Sequence, residues 1–407
     1  MRRQRRREVS DTDAKNTAPE LSVITVTYNS KDHIVRCLQN IMAAANGVRL
    51  EVILVDNASM DGTTDAVREQ LSDAPWLTII ANDQNLGFGK ASNLAARRAN
   101  GRYLLFLNPD LFLLPGAIRT SLDAFTRLDR CGAVMARTFW DDEMQFQFSC
   151  LKTVGLSAAI VQHTSLRHIL GKRTFEKYWR MDWKMWSSDD PLEVSGAPGS
   201  YLMLSREFFR QLGGFDERFF MYYEDEDLCR RIRKAEHKIY CLPDAKAIHY
   251  YAQSLKTSER TAVGRMQSKS LIALYEKHYP HLGGALAICT RANNFMVSSA
   301  KRMLGLSGNR RASSTIPMGS PDGIELAWRS VPNAEYYFLE ITPDPCFLHK
   351  VGAKVAGSRY FLAHRAYRML TPDVYFWRAV PMVAKEPVGK AQVGRFRIVS
   401  DAGGEGG

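Results

Sequence analysis

Four short apolar, β-branched runs alternate with amphipathic stretches early in the chain: Leu21-Ser-Val-Ile-Thr-Val-Thr27, Glu51-Val-Ile-Leu-Val55, Leu77-Thr-Ile-Ile80 and Tyr103-Leu-Leu-Phe-Leu107. Such continuous runs read as strands buried on both faces, and the stretches at about 32–46, 61–72, 89–100 and 115–129 read as helices. This β-α-β-α alternation predicts an α/β fold whose parallel sheet is covered on both sides, a Rossmann-like half. Ligands of such sheets bind beyond the carboxyl ends of the strands. The residues to inspect are therefore Thr27, Tyr28 and Asn29, then Asp56 and Asn57, then Asn108, Pro109 and Asp110.

Each of these admits two readings. Asp and Asn end strands as turn formers, but three consecutive strand ends alike favour a binding crevice. Asp56, an acceptor when ionised, suits a pyrimidine imide N–H or a ribose hydroxyl. Asn85-Leu-Gly-Phe-Gly-Lys90 opens a helix and either faces an anion with its N–H groups or forms a tight turn. Asn93, Lys90 and Arg97 share one side of that helix. Asp110 follows a buried strand, where one carboxylate and a substrate phosphate can share a divalent cation. His249, after a short strand, is either a packing residue or a second ligand. Glu224-Asp-Glu-Asp227 gathers four carboxylates at a helix start, after the aromatic run Phe219-Phe-Met-Tyr-Tyr223. They cap the helix through its dipole, or one of them is a general base tuned by an apolar pocket.

A further strand is expected at 132–137 and another at 199–205, with the aromatic stretch between them, including Trp140, Trp179, Trp183 and Trp186, expected as acceptor-side loop and helix. Helices are expected at 256–280 and 285–305. Beyond the polar linker the pattern turns all-β, with turn signals at Pro321-Asp-Gly323 and Thr371-Pro-Asp373. The strands Ile324–Trp328, Tyr336–Ile341 and Tyr375–Val380 alternate as in a sandwich. Leu370 and Tyr375 resemble the tyrosine corner of fibronectin type III domains.

The 407 residues allow two or three domains and a large core. The divisions expected are a disordered basic N-terminus at 1–20, an α/β unit at 21–255 and a basic amphipathic helical region at 256–306. A linker at 307–316, a sandwich at 317–400 and a disordered tail at 401–407 complete them. Net charge is +12, and residues 256–311 carry ten basic side chains against two acidic ones. Such a segment suits an anionic membrane surface or packs within the protein. No groove-reading motif accompanies it, so nucleic acid is not an expected partner. The seven cysteines are scattered and without a C-x-x-C pair, which predicts a reducing cytoplasm. No apolar run is long enough to span a bilayer.

In order and spacing the motifs from Val26-Thr-Tyr-Asn29 through Val55-Asp-Asn-Ala-Ser59, Asn85-Leu-Gly-Phe-Gly89, Phe106-Leu-Asn-Pro-Asp110, Gly213-Gly-Phe-Asp216 and Phe220–Leu228 to His249 resemble inverting family 2 glycosyltransferases of the rhamnosyltransferase-like branch. The resemblance covers about 21–282. It implies a GT-A fold, a Rossmann-like nucleotide-diphospho-sugar transferase domain, here followed by basic helices and a small immunoglobulin-like sandwich. It implies Asp225 as general base, a Mg²⁺ or Mn²⁺ ion on Asp110 and His249, and Thr27, Asn29, Asp56 and Asn57 on the nucleoside. Tyr28, Asn85, Gly87, Phe88, Asn93 and Asn108 complete the implied substrate site, with Glu224 and Asp227 positioning the base or binding hydroxyls. The metal motif departs from many relatives in holding one carboxylate instead of two. The implied reaction is transfer of a sugar, L-rhamnose from dTDP-rhamnose first, to a glycan or lipid-linked acceptor of bacterial surface polysaccharide. Its place is the inner face of the cytoplasmic membrane. The alternatives are another sugar from a UDP donor, galactofuranose or N-acetylglucosamine, and an inactive glycan-binding scaffold.

Overall fold

The computed structural model describes residues 18–150, 179–250, 260–281, 284, 288, 315–317, 323–342, 350–362 and 373–399. Most of the basic N-terminus, all but residue 288 of the expected helix 285–305, nearly all of the linker, Leu370 and the C-terminal tail lie outside the described residues, as do 151–178.

Strands β1 (Leu21–Thr27), β2 (Leu50–Asp56), β3 (Leu77–Ala81) and β4 (Tyr103–Leu107) form the parallel part of the sheet in the order β3-β2-β1-β4. The apolar side chains of β1, β2 and β4 are almost entirely buried on both faces, whereas edge strand β3 buries only Ile80. Helix α1 (Ile34–Ala44) sets Ile34, Cys37, Leu38 and Ile41 on one side at helical spacing and packs them against the sheet. Helices α2 (Thr63–Leu71), α3 (Phe88–Arg98) and α4 (Ala117–Arg127) complete the crossovers. The order reverses between β1 and β4, and this switch point opens the crevice at their carboxyl ends. In register, Thr27 pairs with Asp56, so both reach the mouth at one level.

Beyond β4 the sheet becomes mixed. After the short β5 (Leu111–Leu113) the chain forms β6 (Cys131–Phe139) and β7 (Gln147–Phe148), then β8 (Leu192–Val194) and β9 (Tyr201–Ser205). Helix α5 (Arg206–Gln211) follows, capped by the Ser205 hydroxyl, which accepts the Phe208 N–H. Helix α6 (Glu224–Lys234) leads into β10 (Lys238–His249), which runs parallel to β6 and antiparallel to β5. The long helix α7 (Arg260–His278) lies against α6.

The C-terminal region is all-β: β11 (Thr315–Pro317), β12 (Ile324–Ala327), β13 (Tyr336–Thr342), β14 (Val351–Val355), β15 (Arg359–Leu362), β16 (Asp373–Val383), β17 (Glu386–Pro387) and β18 (Gln392–Val399). One layer, β11-β18-β16-β13-β14, continues into the sheet of the α/β unit, because β14 pairs antiparallel with β7. The second layer is the pair β12-β15.

This junction corrects the reading of the tryptophan-rich stretch as acceptor-side loop for its described part. Trp140 and Phe146, from the β6–β7 hairpin, are buried in the core of the sandwich with Leu326, Leu339, Ile341 and Phe396. From the helical stretch 179–187, Trp186 stacks on Phe338, centroids 4.7 Å apart, and the Trp183 indole donates to the Lys385 carbonyl at 2.9 Å. Lys350 is buried between Glu340 at 2.6 Å and Asp182 at 3.2 Å, and Arg378 closes on the other Glu340 oxygen. Aromatic residues cluster here because large apolar faces dominate such contacts.

Candidate active site

At the mouth of β1 and β2 the loops are knitted together by side chains. Asp56 is buried and accepts both the N–H, at 3.1 Å, and the hydroxyl of Ser59. Ser59 in turn accepts the Asn29 N–H at 2.8 Å, and Asn29 Oδ1 accepts the Met60 N–H at 2.9 Å. Asn29 adopts φ +51°, a left-handed conformation that Asn tolerates. Thr27 Oγ1 is buried and lacks a hydrogen-bond partner among the described residues, a feature that asks for a ligand or water. Tyr28 is exposed at the rim.

The glycine turn is held from inside the protein. Gly87 has φ +80°, and a Cβ there would stand 2.1 Å from the Phe220 carbonyl oxygen. Its N–H donates to Asn85 Oδ1 at 2.9 Å, and the Phe88 N–H donates to the Phe220 oxygen at 3.0 Å. These amides are occupied, so of the two readings of this segment the tight turn is the one realised. Asn57 donates to the Gly87 carbonyl at 3.2 Å and accepts from Asn82 at 2.9 Å, both ends of its amide lying within the protein. Asn93 likewise clamps both backbone groups of Phe215, accepting its N–H at 2.9 Å and donating to its carbonyl at 2.8 Å. Asn57 and Asn93, expected on the substrate, act here as braces. Lys90 is exposed and Arg97 reaches Glu217 at 4.0 Å on the outer surface.

Asp110 and His249 do meet. The pairing of β5 with β10 sets His249 opposite Leu111, and His249 Nε2 lies 3.1 Å from Asp110 Oδ1. Burial pushes the Asp110 carboxyl up, but His249 and then His33 outweigh it and hold the group below its ordinary value. Cis ligands of an octahedral ion with bonds of about 2.1 Å stand about 3 Å apart, so this pair fits two positions of such an ion. Among the described residues no cluster of three His, Cys, Asp or Glu side chains is poised for a metal. Water and substrate oxygens would therefore supply the rest. Asn108, expected at the same end, donates its N–H to the Ser200 carbonyl at 3.1 Å.

The carboxylates of α6 divide into different tasks. Asp225 Oδ2 accepts the Gly199 N–H at 3.0 Å and Oδ1 accepts the Glu226 N–H at 2.8 Å. Phe88 packs over Gly199 beside it. Burial raises the Asp225 carboxyl in spite of those N–H groups. Glu224 is buried with Oε2 unpartnered among the described residues; burial and then the neighbouring Asp225 hold it well above its ordinary value. Both carboxyls are raised, Glu224 the more strongly, so the two environments set the pair apart. The turn before them is strained, with Tyr222 and Tyr223 both at φ near +70°.

Of the two roles expected of Asp227, positioning the base or binding hydroxyls, its contacts suit the first, since they hold the helix that carries Asp225. Asp227 is fully buried, 2.7 Å from Arg231, 2.7 Å from Lys277 and 2.8 Å from His278. Burial would raise it, but His278, Arg231 and Lys277 pull it down to about 2. Its work is to fasten α7 to α6. Lys277 also reaches Asp216 at 2.7 Å, so this part of the basic segment packs within the protein.

Sequence reasoning did not single out His33, Ser59 or Gly199. His33 Nε2 is buried without a partner among the described residues, and the ring lies in the field of Asp110. Gly199 contributes only its backbone, which leaves no chemical signal in the residue type. No helix among the described residues is long and apolar enough to cross a membrane.

Residues 22–213 match the family model described as glycosyl transferase family 2, and 180–254 match one described as the N-terminal domain of galactosyltransferase. A similar protein is the N-acetylglucosaminyl-diphospho-decaprenol L-rhamnosyltransferase of Mycobacterium tuberculosis, 29% identical over 63% of this chain and 85% of that protein. Another is the rhamnosyltransferase WbbL of Escherichia coli K12, 26% identical over 56% of this chain and 82% of its own length. Among solved structures, a mannosyltransferase from Pyrobaculum calidifontis in complex with GDP-Man and Mn²⁺ aligns with a TM-score of 0.44 at 21% identity, over 72% of this chain and 76% of that one.

Proposed function

Because this chain is a glycosyltransferase carrying a family 2 domain, we propose that its crevice binds a nucleotide sugar and transfers the sugar with inversion to an acceptor hydroxyl. The donor is a dTDP- or UDP-sugar, with L-rhamnose as the sugar, in line with the printed names of two relatives. The acceptor is a glycan or lipid-linked sugar, the latter being what the name of the mycobacterial relative states of that protein.

One observation carries the reading. The turn Gly199-Ser200 holds Asp225 by one N–H and Asn108, two residues before Asp110, by the next carbonyl. A carboxylate raised in basicity and an Asp–His pair are thereby tied to the same short turn. Asp225 takes the proton of the acceptor hydroxyl as its oxygen attacks the anomeric carbon, and the nucleoside diphosphate departs from the opposite face. Asp110 and His249 would hold a divalent ion, which when bound would supply positive charge to offset that of a nucleoside diphosphate leaving group. The imidazole donor favours Mn²⁺ over Mg²⁺. Thr27, Tyr28, Asn29 and Asp56 face the nucleoside.

Residues 317–400 are a fibronectin type III-like unit in this reading. The remaining basic residues of 256–311 bring the enzyme to an anionic membrane surface, at about 1 kcal/mol for each Lys or Arg close to it. Co-sedimentation with liposomes of neutral and of anionic lipid checks that part.

The deciding test is nucleoside diphosphate release from dTDP-, UDP- and GDP-sugars with Mn²⁺ or Mg²⁺, with and without a lipid-linked acceptor extract. Selective turnover of one donor identifies it. Absence of turnover and of binding for every donor overturns the reading.

A further inference from the structure

We propose that the C-terminal sandwich is a working part of the metal subsite, with Phe148 as the positioning residue through which it orients His249. The inference rests on the metal role given to Asp110 and His249 above and deepens it. The Phe148 and His249 rings pack with centroids 5.6 Å apart. Phe148 sits on β7, only two residues long, and so short a strand has little order of its own. β6 holds it through the pairing of Gln147 with Phe139, and the sandwich side supplies the contacts to Phe148 itself. Phe148 pairs with Val351 of β14, and its carbonyl accepts the Trp186 indole N–H at 3.0 Å. Trp186 in turn stacks on Phe338 of β13.

A continuous line of packed groups therefore runs from the sandwich to the metal pair: Phe338, Trp186, Phe148, His249, Asp110. The hairpin bearing Phe148 is anchored at its tip as well, where Phe146 is buried in the sandwich core and Gln145 accepts the Tyr360 hydroxyl at 2.6 Å. The same hairpin touches the strand end that carries His249, since the Tyr250 hydroxyl donates to Asp142. Groups that orient a metal-ligating histidine change metal affinity by about 10- to 100-fold when removed. Undocking the sandwich loosens the ligand without altering any ligand atom.

The junction offers a wedge for the test. A Cβ on Gly352, which pairs with Gln147, would stand 2.5 Å from Phe338 Cζ and 2.8 Å from Trp186 Cη2. Full-length wild type, Gly352→Ala, Phe148→Ala, Phe148→Tyr and His249→Ala are labelled with ¹⁵N-histidine, and the imidazole signal lost in His249→Ala is assigned to that ring. In metal-free protein, Phe148→Ala and Gly352→Ala shift or split this signal, and Phe148→Tyr keeps it near its wild-type place. Mn²⁺ titration followed by electron paramagnetic resonance shows affinity lowered about tenfold or more in both variants and restored in Phe148→Tyr. In the His249→Ala background, Phe148→Ala produces no further loss.

An unmoved His249 signal in both Phe148→Ala and Gly352→Ala, with melting temperatures that show folded chains, overturns the inference. So does Mn²⁺ affinity that falls in His249→Ala but not in Phe148→Ala. Mn²⁺ affinity indifferent to His249→Ala instead defeats the metal reading, and the metal-free spectra still decide whether the sandwich holds the ring.

Discussion

The backbone N–H of Gly199 donates to Asp225 Oδ2 at 3.0 Å, which fixes the carboxylate at a turn whose glycine lies close to the Phe88 ring. The same bond offsets part of the desolvation that raises Asp225. The group is thus aimed and more basic than an exposed aspartate. Asp225→Asn keeps an oxygen for one of the two N–H groups that Asp225 accepts and removes the base. Turnover falls by about 10²- to 10⁴-fold with little change in donor affinity, as read by nucleoside diphosphate release. Activity above a tenth of wild type would take Asp225 out of that role.

The pH profile carries the same signature. With Asp225 raised, the acid limb of kcat/KM lies above the ordinary aspartate value of about 3.9. For Glu224 the consequence is in stability. Its folded value lies well above its unfolded one, so its contribution is complete below the unfolded value of about 4.3 and is lost as pH rises through the folded value. Glu224→Gln cannot ionise, so its melting temperature declines less than that of wild type from pH 5 to pH 9. Equal declines would show that Glu224 does not resist ionisation.

Asp227 titrates in the opposite sense. Held at about 2 in the fold, against about 3.9 unfolded, it contributes fully above pH 4 and loses that contribution as pH falls towards 2. Asp227→Asn leaves Arg231 and Lys277 without their buried partner and lowers stability at pH 7 by about 3–5 kcal/mol. The gap between variant and wild type narrows at pH 2.5. Urea denaturation at pH 7 and pH 2.5 checks both halves.

Gly87→Ala forces an L residue into φ +80°, ψ 172°, a region essentially reserved for glycine, at about 1–3 kcal/mol, and drives its Cβ into the Phe220 carbonyl. The Phe220 loop moves, and α6 begins four residues later. The expected result is a lower melting temperature together with a loss of turnover larger than the loss of donor binding. A variant with wild-type turnover would show that the turn does not position the carboxylates.

Phe146→Ala empties a site in the sandwich core filled by the other half of the protein. A loss of about 3–5 kcal/mol is expected. Hydrogen exchange should quicken in β13 and β14 as well as in the hairpin. Faster exchange confined to 140–148 would show that the two parts fold independently.

The crevice was legible from the chain because its makers lie at strand ends whose positions follow from hydropathy alone. Thr27, Asp56 and Asp110 each follow a run of buried side chains, and parallel register brings Thr27 level with Asp56. Asp227 was not legible. Its composition is that of its neighbours Glu224 to Glu226, and only the arrival of Lys277 and His278 from α7 separates a clamp from a substrate contact. Asn57 and Asn93 misled for the same reason, since an amide that braces a loop looks like one that binds a ligand.

By itself the sequence determined the alternation of strands and helices and the parallel character of the sheet they build. Those features follow from local periodicity and from the handedness of crossovers, which act over a few tens of residues. Tertiary structure alone decided that a sandwich strand holds Phe148 against His249, the residue that the family resemblance had already paired with Asp110. Such contacts depend on which strand edges pair after long loops close, and neither residue type nor spacing carries that information.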